Sequence, residues 1–410
     1  MPRISPFQAL VYEPSVAGPL DRVTAPPYDV ITGRRRRDYL SASPFSVVHL
    51  DLAEGTDDPA HPESRYARAA QLLADWERAG AVVRMPEPTY FAYEMLVGPE
   101  GTERSILGLV CAMDLEPWGG SVIPHEHTMP GPVQDRLRLL RATATHLSAV
   151  YGTIAGPSQP LASLLHATAA TPPLFSTVDE QGVAHRLWPI EDDAEIATWL
   201  AAEPLLIADG HHRYTTALRY REERHAVDGP GPWDRVLTLI VDAAEEHLPV
   251  LPFHRIQTAG KAVGTSGPVL DGLQTALAAC SDEDLIAAVA SREAGETVFR
   301  SIQLAGEAPA VRALHDELLD GAVPTDGLRF VHDAHEAADA VNSGEAVAAY
   351  FLPPTTPDRI RTVISRGERL PQKSTYFWPK PRTGMVMMPL DPSTNPPRPH
   401  RPRSAGPPAS

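Results

Sequence analysis

Cysteine is almost missing from this 410-residue chain: Cys111 and Cys280 are its two copies. Two cannot build a disulfide framework or a cysteine-rich zinc site, and the shortage fits a reducing compartment. Lysine is nearly as rare, with Lys261, Lys373 and Lys380 set against 33 arginines. In a chain that writes arginine for its generic positive charge, a retained lysine points to a compact, mobile cation that arginine cannot replace. Basic residues are also outnumbered, 36 to 52, for a formal charge of −16. That balance argues against a general nucleic-acid binder, whose affinity rests on neutralising phosphates, but leaves room for a local basic pocket. No apolar run approaches the roughly 18 residues of a membrane span, and the Met1–Phe7 start lacks the layout of a signal peptide. A cytoplasmic protein with no membrane partner is the expectation.

What is present suits a folded chain. Apolar residues make up 43%, enough to bury a core, and the length predicts two to three domains at roughly 150 residues each. Residues 1–60 read as irregular, with the arginine run Arg34–Arg37 a solvated face. Ala69, Leu72, Leu73 and Trp76 mark a helix within 61–80 that Gly80 ends. Tyr90–Leu96 and Ile106–Met113 read as a hairpin joined through Gly98–Gly101. A helix from Val133 to Leu147 and a strand over Ala149–Ile154 follow. Residues 156–200 read as a short helix, a turn at Pro172-Pro173 and a second helix near 192–202. Leu205–Ala208 and Arg235–Val241 are buried-strand patterns flanking a helix that runs to about His225. Residues 265–345 alternate helix and strand signals. Ala346–Leu352 and Arg359–Ile364 read as a strand pair, and Met385–Leu390 as a last strand. Beyond Asp391 the composition predicts disorder.

Three stretches carry chemistry. The first is Ile207-Ala208-Asp209-Gly210-His211-His212-Arg213-Tyr214. A strand, a glycine turn and a helix start create an anion site, because the first helical amides lack intrahelical partners and the aligned peptide dipoles add positive charge. Asp209, His212 and Arg213 converge over that mouth by their three- and four-residue spacing. Asp209 either holds Mg²⁺ or caps the helix.

The second is Pro124-His125-Glu126-His127-Thr128. Glu126 between two imidazoles is a candidate general base, worth roughly 10²–10⁴ in rate; its alternative is a loop carboxylate paired with Arg136 or Arg138. The spacing is not that of a zincin. The third is Pro371-Gln372-Lys373-Ser374-Thr375-Tyr376-Phe377, a loop holding one of the rare lysines, with Lys380 seven residues beyond. A lysine and two hydroxyls can bind a carboxylate or phosphate, while the aromatics serve as walls or core. The turns Pro26-Pro27-Tyr28-Asp29 and Pro252-Phe253-His254-Arg255 are weaker signals.

Together with Pro26–Val30, these stretches resemble the landmarks of a widespread bacterial and archaeal family catalogued as a domain of unknown function. The same three motifs, in the same order, are similar to those of free serine kinases on the ParB/sulfiredoxin fold. The resemblance implies an α/β (α+β) protein with a nucleotide-binding core over residues 1–260, an added C-terminal α/β region over 261–390, and a tail from 391 to 410. It implies phosphoryl transfer from ATP or ADP, with Mg²⁺, to the hydroxyl of free L-serine, giving O-phospho-L-serine. By that resemblance Glu126 is the base, and Asp209, His211, His212 and Arg213 hold metal and phosphate. Gly210, His125 and Thr128 add to the nucleotide site, and Lys373, Ser374 and Thr375 bind the amino acid. The separation of Glu126 from Asp209, 83 residues, exceeds that of the compact kinases, so an insertion at about 150–200 is expected.

Two other readings remain at this point. His125, His127, His211 and His212, with His254 nearby, would suit a metal-dependent hydrolase, since neutral imidazoles bind zinc or iron well. A ParB-like nucleotide-binding switch without turnover is the third.

Overall fold

Eight consecutive buried residues, Ile106 to Met113, make the central strand of the molecule. A strand sends alternate side chains to opposite faces. Here Ile106, Val110 and Ala112 enter one core, while Leu107, Leu109, Cys111 and Met113 enter another. Both faces of the sheet are therefore covered, which is why the strand reads as an unbroken apolar run.

The computed structural model describes residues 3–391 except 32, 62, 99–102, 155–158, 191–194, 201–203 and 243–247. Its larger sheet has nine strands. They are β1 (Ile4–Ser5), β2 (Tyr90–Val97), β3 (Arg104–Asp114), β4 (Val122–Ile123), β5 (Val150–Ile154), β6 (Phe175–Val178), β7 (Ala184–Ile190), β8 (Leu205–Asp209) and β9 (Arg235–Asp242). The order is β4-β8-β5-β9-β3-β2-β7-β6, with β1 on β3. β4 runs parallel to β8 and β5 to β9, and the other pairs are antiparallel. Helices Arg65–Arg78 and Pro130–Thr143 supply Leu73, Trp76, Leu137 and Leu140 to one core. Gln159–Ala169 and His211–Asp228 supply Leu161, Leu165, Tyr214 and Ala217 to the other.

A second, antiparallel sheet of six strands follows. It comprises β10 (His254–Gln257), β11 (Val269–Leu270), β12 (Ile286–Glu293), β13 (Glu296–Gln303), β14 (Leu328–Val331) and β15 (Ala348–Phe351), in the order β11-β13-β12-β15-β10-β14. Helices Gly272–Ala279 and Ala334–Asn342 cover one face. Through Val289 and Tyr350 its other face joins the larger core of the first sheet. The chain then returns to the first layer: Thr375–Phe377 pairs with Val250–Pro252, and Met388–Pro389 pairs with Thr145–His146.

The architecture is the mixed α/β expected, with local differences. Arg359–Ile364 is not a strand but part of a helix, Pro357–Ser365, capped by Thr356 Oγ1 on the Arg359 amide. Ile360 and Val363 are buried three residues apart, a helical spacing that the short stretch hides within apparent alternation. The helix expected to reach Leu147 stops at Thr143, because Ala144 turns left-handed (φ 44°) and Thr145–His146 becomes a strand. The Arg34–Arg37 run lies in a helix, Gly33–Ala42, inside a stretch expected to be irregular. The final strand is Met388–Pro389 alone. Residues 150–200 extend the sheet: helix Gln159–Ala169 is followed by β6 and β7, which the sequence reading missed, and helix Ile196–Trp199 stands for the one expected near 192–202. The tip of the turn after Gly98 and the tail from 392 lie outside the described residues. Among those described, no helix is long and apolar enough to cross a membrane.

Candidate active site

β8 delivers Asp209 to the sheet's end, Gly210 turns the chain, and the helix His211–Asp228 begins. Gly210 has φ 96°, and a Cβ there would lie 3.1 Å from the Arg213 guanidinium, so this turn requires glycine. No side chain caps the helix, and its first amides are left for an anion. Asp209 is held from both sides: Arg213 pairs with Oδ2 and Lys380 with Oδ1. Arg213 also donates to the Ala149 carbonyl and, at 3.2 Å, to Ser148 Oγ.

His211 Nε2 accepts the His125 amide at 3.3 Å, and His212 Nε2 accepts the Met129 amide at 2.9 Å. Burial, reinforced by positive neighbours, lowers the pKa of both imidazoles. Both are thus neutral near pH 7, with the proton on Nδ1.

Glu126 is brought to the same place by a short pairing of two distant segments. The Leu370 amide donates to the His125 carbonyl at 2.7 Å, and the His127 amide to the Leu370 carbonyl at 3.2 Å. This sets the Glu126 carboxylate on the Lys373–Thr375 backbone. Oε1 accepts the Ser374 amide at 3.0 Å, the Thr375 amide at 2.8 Å and the Thr375 hydroxyl at 2.8 Å. Oε2 accepts the Lys373 amide at 3.0 Å. Burial would raise this carboxyl's pKa, but His125, His211 and Thr375 outweigh it and hold the group well below the usual carboxylate range.

The loop that holds Glu126 is itself braced. Lys373 adopts a left-handed backbone, φ 52°, a conformation that non-glycine residues keep only under tertiary constraint. Arg255, fully buried, donates to the carbonyls of Lys373 at 2.9 Å, Gln372 at 3.4 Å and Phe253 at 2.7 Å. The Lys373 ammonium pairs with Asp29. Burial opposes ionisation of Asp29, yet Lys373 and Lys380 keep its pKa far below that of a free aspartate.

These segments enclose one cleft of about 450 Å³, counting its open mouth, lined by Asp29, Glu126, the Asp209–Arg213 turn and Lys373. Tyr28, Phe253, His127, Ala208 and Thr375 complete the wall, and none of the described residues in 150–200 lines it. A family model described as "Protein of unknown function (DUF1015)" matches residues 4–292. The chain belongs to the DUF1015 family. Three solved structures illustrate what this DUF1015 protein is similar to. A free serine kinase in complex with AMP is 13% identical, with 67% of this chain and 89% of that chain covered at a TM-score of 0.35. A conserved hypothetical protein from Pyrococcus furiosus is 14% identical, with 63% and 90% covered and a TM-score of 0.34. SbnI with a C-terminal truncation, from Staphylococcus aureus, is 12% identical, with 67% and 85% covered and a TM-score of 0.35. No curated protein matches the chain.

Not every residue singled out in the DUF1015 sequence faces the cleft. His125 is buried behind it, with Nδ1 2.8 Å from the Ile207 carbonyl and Nε2 2.7 Å from Thr375 Oγ1. Ser374 Oγ donates to the Pro371 carbonyl at 2.7 Å, and Thr128 is half-buried away from the lining. Asp29 and Arg255 are only weak signals in the sequence, and nothing in the Lys373 motif itself points on to Lys380. The scarcity of lysine was the signal for Lys380, since two of the three lysines rest on the cleft's two aspartates.

The donor set bears on a metal ion. His125 uses both ring nitrogens and His211 and His212 each use Nε2, so the four histidines do not assemble the metal centre that the hydrolase reading rests on. Among the described residues no group of three or more His, Cys, Asp or Glu side chains is placed to hold a metal. Asp29 Oδ1, however, is buried with no hydrogen-bond partner among them. One or two carboxylates, completed by phosphate oxygens and water, suit Mg²⁺. Asp29 and Asp209 fit a metal that arrives with a phosphate ligand.

Proposed function

We propose that this protein is a nucleotide-dependent phosphotransferase acting on the hydroxyl of a small molecule, with free L-serine the leading acceptor and ATP or ADP the donor. The observation that carries the reading is the convergence, in one cleft, of an anchored carboxylate, an uncapped helix mouth and two aspartates, each paired with a lysine. Phosphoryl transfer asks a protein mainly for positioning and charge neutralisation, and these parts supply both. The helix amides and Arg213 receive the phosphates. Lys373 and Lys380 leave their aspartates for phosphate oxygens or, in the case of Lys373, for the acceptor's carboxylate. Asp29 and Asp209, so released, would hold Mg²⁺, which would supply positive charge to offset the phosphates.

Glu126 receives the acceptor hydroxyl at Oε2, the oxygen with one donor against three on Oε1. Its ionised state near neutral pH follows from its low pKa. In a loose transition state the hydroxyl proton is lost late, so an acceptor that orients the alcohol is what the reaction needs. The new O–P bond forms as the bridging P–O bond to the nucleotide breaks, the proton passes to Glu126, and the shortened nucleotide leaves. Ser374 and Thr375 act through Glu126, by holding it.

The test is incubation of the full chain with L-serine, Mg²⁺ and ATP or ADP, followed by detection of phosphoserine. Product is expected with one of the two donors. Absence of product with any nucleotide, across serine, threonine and homoserine, overturns the reading; nucleotide binding without turnover would instead favour a switch.

A further inference from the structure

A second cleft adjoins the first, and Tyr28 and Arg213 line both. Counting its open mouth, it holds about 410 Å³. Leu139, Leu140 and Leu147 give it apolar walls. Its charged lining is built in: Asp51 and Arg136 are 5% and 6% exposed. Arg136 donates to Asp51 Oδ1 at 2.5 Å and to the Asp51 carbonyl at 2.9 Å. It also lies over the Tyr28 ring, 4.2 Å from the centroid. Asp51 Oδ2 has no hydrogen-bond partner among the described residues. Buried polar atoms are nearly always paired, so an exception in a cleft asks for a ligand donor.

The geometry points to this second cleft as the seat of the nucleotide's base, one carrying an exocyclic amino group that donates to Asp51 Oδ2 between the leucine walls. The assignment rests on the phosphate-cleft reading above and extends it. Glu126 is not in this lining, so the reacting hydroxyl belongs to the first cleft, and the second is left for the end of the donor that does not react. Asp51 already has its ion-pair partner in Arg136, so a neutral N–H suits its free oxygen better than an ammonium. Arg213 stands at the junction, where it reaches a phosphate on one side and borders the nucleoside on the other.

Calorimetric titration of the full chain tests this with four ligands: ADP, the purine-riboside diphosphate that lacks the amine, IDP, in which an oxygen replaces it, and pyrophosphate. ADP should bind several-fold tighter than the desamino analogue and at least ten-fold tighter than IDP, because a site built around a donor rejects its absence and repels an acceptor. Asp51→Asn keeps an oxygen for Arg136 and turns an N–H into the cleft. It should narrow or reverse the ADP-over-IDP preference while pyrophosphate affinity stays unchanged. If that variant fails to fold, the wild-type ligand series decides alone. Equal affinity of the wild type for ADP, IDP and the desamino analogue overturns the base site and leaves the phosphate cleft standing. Failure of pyrophosphate and every nucleotide to bind removes the phosphate cleft and this assignment with it.

Discussion

The ammonium of Lys373 rests on the carboxylate of Asp29, 344 residues earlier in the chain, and Lys380 does the same for Asp209 across 171. Neither contact is local, and both use a residue type that this chain otherwise replaces with arginine. The cleft's acids and bases are thus stored as pairs. Under the proposed function, a phosphate group entering it would exchange partners with groups that are already paired and largely buried.

Arginine in place of either lysine keeps the charge but not the shape. Lys380 is 3% exposed at its side chain, with no room for a planar fork. Lys373→Arg and Lys380→Arg should each lower kcat/KM by at least ten-fold, measured by phosphoserine formation. Lys380→Ala should also destabilise the protein by about 3 kcal/mol, the lower end for a broken buried pair, since Arg213 still partners Asp209. Full activity in both arginine variants would show that the rarity of lysine is compositional only.

Glu126→Gln keeps an oxygen for the Ser374 and Thr375 amides but removes the proton acceptor. Nucleotide affinity should change less than three-fold, while single-turnover transfer falls by about 10²–10⁴. Transfer within ten-fold of wild type would assign the base elsewhere.

Gly210→Ala places a Cβ at φ 96° and 3.1 Å from the Arg213 guanidinium. The left-handed conformation costs about 1–2 kcal/mol, and Arg213 must shift. A weaker nucleotide Kd, by ten-fold or more, with a modest fall in Tm is the expected result in a binding titration and a thermal melt. An unchanged Kd would show that the turn does not contact the nucleotide.

Acid should unfold the protein through its histidines before its carboxylates. Burial pushes the pKa of His146, His254 and His315 down to about 4 each, against about 6.5 in an unfolded chain. The unfolded state therefore binds more protons below pH 6.5, and stability falls as pH drops from about 6.5 toward 4. At pH 5 the loss is on the order of 2 kcal/mol per histidine. The Glu126 contribution, with its pKa lowered, is lost only further down. Denaturant unfolding at pH 7.5 and 5.0 checks this, and equal or greater stability at pH 5.0 would contradict it.

Much of this was legible in the sequence because it is local. The apolar run Ile106–Met113 and the strand, glycine and helix signals around Gly210 are short-range patterns, and both formed as expected. Lys373 and Glu126 were recognised as chemical, but their relationship was not: no spacing rule announces that the amides of residues 373–375 will hold a carboxylate at 126. Arg255 looks like a turn tip in the sequence, since its work depends on carbonyls more than 110 residues away. The helix at Pro357–Ser365 is obscured for the opposite reason: nine residues are too few for helical and alternating periods to separate.

The brace on Glu126 also sets an order of events during synthesis. A ribosome that has released residue 300 has made every strand of the nine-stranded sheet, together with Asp29, Asp209 and the helix that follows Gly210. It has not yet made the three amides that fix the carboxylate, nor either lysine that pairs with the cleft's aspartates. The last residues of the larger core, Met385 to Leu390, are also still to come, so the brace on Glu126 and the closing of that core belong to the same late stretch of chain.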